Sequence, residues 1–264
     1  MSRTLAYRFT QGLACNNRGL GKPNEDYIAT GGDGQIFILL DGVTRPHAEY
    51  DGSGSSAAID VCEVFAASLL ERQEDILRAE GTRATQEALA LAVTQANEAV
   101  ARYRSAKSPE QWRFYPAAVG IAAVIKQDVM SFAYVGDCMG VLYRDNARIV
   151  FAEQQTVHAT KIMKLTKERL YGEACNHPES RYAYGVINGD DEMAQMLRVS
   201  HISLERGDTV YLVSDGMQKF ITLEDLSAWQ TATAQEMIDA SCGYDVPPYA
   251  SYADDKAMIK IVFE

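Results

Sequence analysis

The sequence predicts an α+β fold in which two β-sheets pack face to face with helices outside, and three features predict it. Strand-like apolar runs gather toward both ends of the 264-residue chain, with helical periodicity between them. Two of the runs, residues 35–40 and 209–214, are apolar enough to be strands buried on both faces, and each breaks off in Asp-Gly, at Asp41-Gly42 and Asp215-Gly216. No internal repeat or linker interrupts the chain, and a hydrophobic content of 47% can furnish a substantial core, so residues 1–264 read as a single domain.

Residues 5–15 alternate loosely as a first strand and give way to a turn-rich stretch ending at Pro23. Residues 27–30 and the run before Asp41 form a tight strand pair through Gly31-Gly32-Asp33-Gly34, a hairpin-type turn. A polar, Gly- and Ser-rich loop over residues 43–56 leads to a helix whose apolar positions are Ala58, Cys62, Phe65 and Leu69. A second helix over residues 85–104 carries Leu89, Val93, Ala96, Val100 and Tyr103 on one stripe. Each helix has one apolar side, which must pack on a sheet. Residues 116–151 hold short apolar runs divided by Lys126-Gln127-Asp128, Gly136-Asp137 and Asp145-Asn146, the spacing of one antiparallel meander. Residues 153–191 turn polar, with a helix over 159–170; too small and apolar-poor to own a core, this segment reads as a flap over the sheet. Strands over 196–204 and 209–214 follow, joined by Glu205-Arg206-Gly207-Asp208. Short helices near 223–229 and 234–241 come next, and the chain closes on a strand over 257–263 introduced by Asp254-Asp255.

The excess of 36 Asp and Glu over 25 Lys and Arg gives a net charge of −11, which repels nucleic acid and anionic membranes and suits a protein that concentrates cations. There is no signal pattern and no membrane-length apolar run, and the five scattered cysteines lack a C-x-x-C pair. A cytoplasmic protein with reduced thiols is expected.

If the two Asp-Gly strands lie side by side in one core, their carboxylates meet at one rim and repel unless a cation sits between them. Acids also mark strand ends at Glu25-Asp26, Asp137 and Asp254-Asp255. A hard divalent cation such as Mg²⁺ or Mn²⁺ wants oxygen ligands of this kind, and two ions sharing a carboxylate generate hydroxide at neutral pH and clamp a phosphoryl group for in-line attack. Asp-Gly is also ordinary turn chemistry, the reading given to Asp33-Gly34 and Asp51-Gly52; recurrence at the ends of strongly apolar strands is what favours ligands elsewhere.

In chain order, Asn24-Glu25-Asp26, Leu40-Asp41-Gly42, Gly136-Asp137-Cys138-Met139, Val213-Ser214-Asp215-Gly216 and Asp254-Asp255 resemble the successive motifs of the metal-dependent serine/threonine protein phosphatases of the 2C type. Each motif alone is weak; together and in order they are specific, and they span nearly the whole chain. The resemblance implies a four-layer α-β-β-α sandwich, two antiparallel sheets flanked by helix pairs, with a binuclear Mn²⁺/Mg²⁺ centre at one end. It implies Asp41 as bridging ligand, Gly42 as a carbonyl ligand, and Asp215 and Asp254 as ligands of one ion. Glu25 and Asp26 would hold metal-bound water, and Asp137 would help bind a third ion. Several positions depart from the family pattern. The phosphate-gripping arginine falls on Gly21, so Lys22, Arg18 or Arg45 must replace it. The histidine that often follows Asp-Gly is Val43, leaving His47 or His158 as proton donors, and two further positions carry Lys219 for an acid and Met139 for an arginine.

The reaction expected is hydrolysis of a phosphomonoester, phosphoserine or phosphothreonine on a protein, by a hydroxide bridging two ions in a monomeric enzyme, with Asp41, Asp215, Lys22 and Arg45 catalytic. A small phosphorylated metabolite is an alternative substrate. A regulatory binding module that has lost turnover is the alternative from another class, motivated by Gly21, Val43 and Lys219. Other motifs are weaker. Cys138 and Arg144 have the C-x₅-R spacing of a thiolate phosphatase, but the residues between them are strand-like. Asp41-Gly42-Val43 lacks the second aspartate of an aspartyl-nucleophile phosphatase, and Gly52-Ser53-Gly54-Ser55 reads as a helix cap rather than an anion loop. Trp112 and Trp229 read as packing residues.

Overall fold

The apolar run before Asp41 is buried on both faces because sheets and helices cover it from opposite sides. In the computed structural model, which describes residues 5–16, 23–43, 56–107, 116–156, 173–248 and 254–264, the strands form two antiparallel five-stranded sheets. The first sheet runs in the order β1 (Tyr7–Ala14), β10 (Lys256–Phe263), β9 (Thr209–Val213), β6 (Met139–Arg144), β7 (Ala147–Ala152). The second runs β2 (Asp26–Gly31), β3 (Ile36–Gly42), β4 (Ala118–Lys126), β5 (Val129–Val135), β8 (Arg198–Ser203).

Alternation along the strands builds the layers. Phe37 and Leu39 of β3 join Ile121, Phe132, Leu142, Leu212 and Ile259 in the core between the sheets. Ile36, Ile38 and Leu40 face the other way, against α1 (Ala57–Leu70) and α3 (Gly81–Ala106). The expected stripe Cys62, Phe65 and Leu69 of α1 and Leu89, Val93, Ala96 and Val100 of α3 is buried there. On the far side of the first sheet, Val141, Tyr211, Val213 and Met258 pack on Phe220 and Ile221 of a short helix over Gln218–Leu223 and on Met237 and Ile238 of another over Ala234–Ser241. The result is the four-layer sandwich. Each large aliphatic side chain so buried contributes about 1.5–3 kcal/mol, which is why the ends of these strands are held rigidly.

Three local expectations need correction. Residues 116–151 are not one meander: β4 and β5 pair in the second sheet, β6 and β7 in the first, and the chain crosses between sheets after Val135. The crossover requires Gly136, at φ +84°, where a Cβ would sit 2.2 Å from a methyl of Val119. A second crossover, from β8 to β9, is held by Arg144, whose guanidinium donates to both carboxylate oxygens of buried Asp208 at 2.8 and 2.6 Å. The helix expected over 223–229 is instead the helix Gln218–Leu223 followed by a 3₁₀ turn, Leu226–Trp229, and α2 (Gln73–Arg78) was not anticipated because only Ile76 of it is buried.

The helix expected over 159–170 lies outside the described residues, whereas Ala174, Cys175, Tyr184 and Val186 of the polar segment enter the inter-sheet core. Among the described residues no helix is long and apolar enough to cross a membrane.

Candidate metal centre

Antiparallel pairing places the start of β2 and the end of β3 at one end of the second sheet, so Asp26 stands directly opposite Asp41. β9 of the other sheet ends at the same rim, delivering Asp215, and β10 begins there after Asp254-Asp255. The β5–β6 crossover adds Asp137. The strands carrying Asp41 and Asp215 are therefore not side by side: β9 pairs with β10 and β6, in the sheet opposite the one that holds β3. The acids meet across the mouth of the sandwich rather than along a sheet edge.

Short hydrogen bonds fix these side chains. Ser214 Oγ donates to Asp26 Oδ2 at 2.6 Å and accepts from the Ala257 N–H at 2.8 Å, tying the second sheet to β10. Asp255 is a clasp, accepting the N–H of Asn16 at 2.7 Å and of Glu25 at 2.9 Å. The Glu25 carboxylate accepts from the hydroxyl of Ser56, the residue that also caps α1 by accepting the Ala58 N–H at 3.2 Å. Thr156 donates to Asp137 Oδ2 at 3.3 Å, and Lys256 Nζ donates to the Gly216 carbonyl at 3.1 Å while paired with Asp245 at 2.7 Å. Two glycines are sterically required. A Cβ on Gly42 would lie 2.7 Å from the Glu25 carbonyl, and one on Gly216 would lie 2.0 Å from the Asp255 carbonyl.

Electrostatics at the rim are one-sided. Burial, then the charges of Asp255, Asp215 and Asp254, push the Asp26 carboxyl well above the usual range against the opposing bond from Ser214. Asp41 keeps some surface open to solvent, yet its carboxyl is also pushed well up, by desolvation first and then by Asp26, Asp215, Asp137 and Asp254. Burial raises Asp137 as well. Every charge named on Asp26 and Asp41 is negative.

Such a site fits a hard divalent cation. Its donors are carboxylate oxygens, and Asp26 Oδ1 is buried without a hydrogen-bond partner among the described residues. Among those residues no three acidic, histidine or cysteine side chains close tightly enough to grip an ion alone. Mg²⁺ and Mn²⁺ do not need three: they keep several waters and are held through one or two carboxylates.

Of the residues singled out in the sequence, Glu25, Asp26, Asp41, Gly42, Asp137, Asp215 and Asp254 share this end. Arg18, Gly21, Lys22, Arg45, His47 and His158 lie outside the described residues, as do Asp51-Gly52, the stretch 52–55 and Trp112. Val43 packs on the inter-sheet core and Met139 on the helix side of the first sheet. The C-x₅-R pair is no thiolate site: Cys138 is fully buried with its thiol pushed well up by desolvation, and Arg144 is committed to Asp208. Trp229 packs edge-on against Phe220 at 5.1 Å between ring centroids. Sequence reasoning missed Ser56, Lys256 and the clasp role of Asp255, and gave Ser214 no role of its own.

A family model described as protein phosphatase 2C matches residues 16–243. No curated protein sequence matches the chain. Among solved structures, a serine/threonine phosphatase of S. agalactiae is 17% identical with a TM-score of 0.68, covering 98% of this chain and 100% of that one. The Mycobacterium tuberculosis serine/threonine phosphatase PstP/Ppp is 18% identical with a TM-score of 0.66 over 98% and 100%. The catalytic domain of PstP in complex with 2 manganese ions is 15% identical with a TM-score of 0.65 over 98% and 99%.

Proposed function

The chain belongs to the protein phosphatase 2C family and is a metal-dependent serine/threonine protein phosphatase; from that premise we propose that the acidic rim is where it holds Mn²⁺ or Mg²⁺ and hydrolyses phosphoserine or phosphothreonine. The supporting observation is the convergence of Asp26, Asp41, Asp215 and Asp254 from both sheets on one mouth, where burial and the neighbouring negative charges raise the carboxyls of Asp26 and Asp41.

Asp41, the Gly42 carbonyl beside it, Asp215 and Asp254 would hold the ions, Glu25 and Asp26 would orient water, and Asp137 would help hold a further ion. When bound, the ions supply Lewis acidity that lowers the pKa of water and neutralises charge on the phosphoryl oxygens. The chain's own work is positioning. Ser214 turns Asp26 toward the mouth, Asp255 fixes the backbone of Glu25, and Lys256 braces the Gly216 turn behind Asp215. Lys22 and Arg45 are assigned to grip the substrate phosphate. The protein acts as a cytoplasmic monomer of one domain. The segment 153–191 serves as a flap, a reading supported by one of its described residues, Ile187, which bridges to Ala118, the partner of Gly42 in β4.

The test is turnover of a phosphothreonine peptide by the purified chain. Activity requires Mn²⁺ or Mg²⁺, and Asp41→Asn or Asp215→Asn lowers kcat/KM by at least about a hundredfold. Metal-independent turnover, or tight phosphopeptide binding without turnover at saturating Mn²⁺, would contradict it. Faster hydrolysis of small phosphomonoesters than of any phosphopeptide would reassign the substrate class.

A further inference from the structure

At the opposite end of the second sheet from the acidic rim, a cavity of about 540 Å³ opens between the α2–α3 junction and the β4–β5 hairpin. β4 starts beside Gly42 and runs away from the rim, so Lys126, its last residue, stands at this far end. The volume lies in the range of small-molecule sites, about 300–1,000 Å³.

Three features of its wall point to an anion. The first is Ser131 of β5, which shares the helix-facing side with Ala133 and Val135, is 2% exposed and lines the cavity. No hydrogen bond holds its hydroxyl among the described residues, and its oxygen is not one of the fully buried unpartnered atoms, so it keeps its trace of exposure toward the cavity it lines. The second is α3, a helix of 26 residues whose start at Gly81 and Thr82 also lines the cavity. Its N-cap, Glu80, gives no side-chain cap, so the N-cap side chain does not take up the N–H groups of the first turn, which lie at the positive end of the helix dipole. The third is the cation balance. Arg78 and Lys126 line the wall against the one carboxylate of Glu80. Lys126 Nζ donates to the Leu77 carbonyl at 2.8 Å and to that of Ala79, so its contribution is field rather than a direct bond. Arg78 is paired with Glu74.

We propose that this cavity is a second ligand site, separate from the acidic rim, that takes a small oxyanion of the phosphate or carboxylate class. Ser131 donates to the anion from beneath, and the first-turn N–H groups of α3 close on it from the side. The site does not depend on the assignment of the rim.

The test is a backbone-amide NMR titration of the full chain loaded with Mg²⁺, with inorganic phosphate in one arm and citrate in the other. The expected result is saturable shifts at Gly81, Thr82 and Ser131 that are distinct from any shifts at Asp26, Asp41 or Asp215. Ser131→Ala weakens the far-end affinity by about fivefold, Ser131→Thr restores it, and rim shifts are unchanged by either. Response in one arm alone names the source as phosphate or carboxylate. Absence of saturable far-end shifts in both arms, or an affinity there indifferent to Ser131→Ala, would overturn the proposal.

Discussion

Replacing Asp41 by asparagine should stabilise the protein when divalent ions are chelated and destabilise it, relative to wild type, when they are supplied. The change is nearly isosteric, so packing against β4 survives and what is removed is charge. Burial and four neighbouring aspartates raise the Asp41 carboxyl in the folded chain, whereas in the unfolded chain it ionises near the ordinary value of about 3.9. Between those two values the folded state binds more protons than the unfolded one, so this group's contribution to stability falls as pH rises from about 4 through the folded pKa. At neutral pH the ionised carboxylate is a net cost. The gain on Asp41→Asn is read as a rise in Tm in EDTA, where each kcal/mol is worth about 2–4 °C for a chain of this size. Mn²⁺ at a hundred times its Kd stabilises wild type by about 2.7 kcal/mol, while the variant gains little. Calorimetric scans at pH 7.5 in EDTA and in Mn²⁺ therefore cross in order, and the EDTA difference shrinks as pH is lowered toward about 4. If the variant melts below wild type in EDTA, or both rise equally with Mn²⁺, Asp41 is not a repelled anion relieved by a cation.

Ser214→Ala leaves Asp26 Oδ2 and the Ala257 N–H without their shared partner; urea denaturation should show a loss of about 1–3 kcal/mol, and the Mn²⁺ concentration for half-maximal activity should rise. Arg144→Met strands the buried Asp208 carboxylate at the other end of the molecule, costing about 3–5 kcal/mol by the same measurement while kcat per folded molecule at saturating Mn²⁺ stays at the wild-type value. Titration of the native protein with a disulfide reagent at pH 8 should modify Cys15 and Cys242, the exposed thiols, promptly. Cys62 and Cys138 are buried with thiols pushed well up, and burial takes Cys175 to about 12, so these react only on unfolding; prompt reaction of a third thiol would refute this.

What the sequence made legible and what it hid differ in kind. A carboxylate at the end of an apolar run is an anomaly that composition and period expose, and Asp41 and Asp215 declared themselves that way. Sheet membership did not, because β4–β5 and β6–β7 are locally identical hairpins, and the turn between them looks like any Gly-Asp until Gly136 is seen against Val119. The residues that hold the acids were hidden for a related reason. Ser214 and Asp26 are 188 positions apart and Asp255 and Asn16 are 239 apart, so no spacing rule connects them. Each is also a residue type that turns use freely.

Asp254 and Asp255 make the limit concrete. In sequence they are an indistinguishable pair before the last strand. At the mouth of an extended segment neighbouring side chains point opposite ways, so only one of two adjacent acids can face an ion while the other turns into the protein. Asp255 is the one turned inward, 3% exposed and accepting two backbone N–H bonds, and Asp254 keeps surface at the rim. Both keep a carboxylate in place, one by presenting it and the other by anchoring the chain that carries Glu25 and Asp26. That division of labour is set by the pleat and could not have been assigned from the residue types alone.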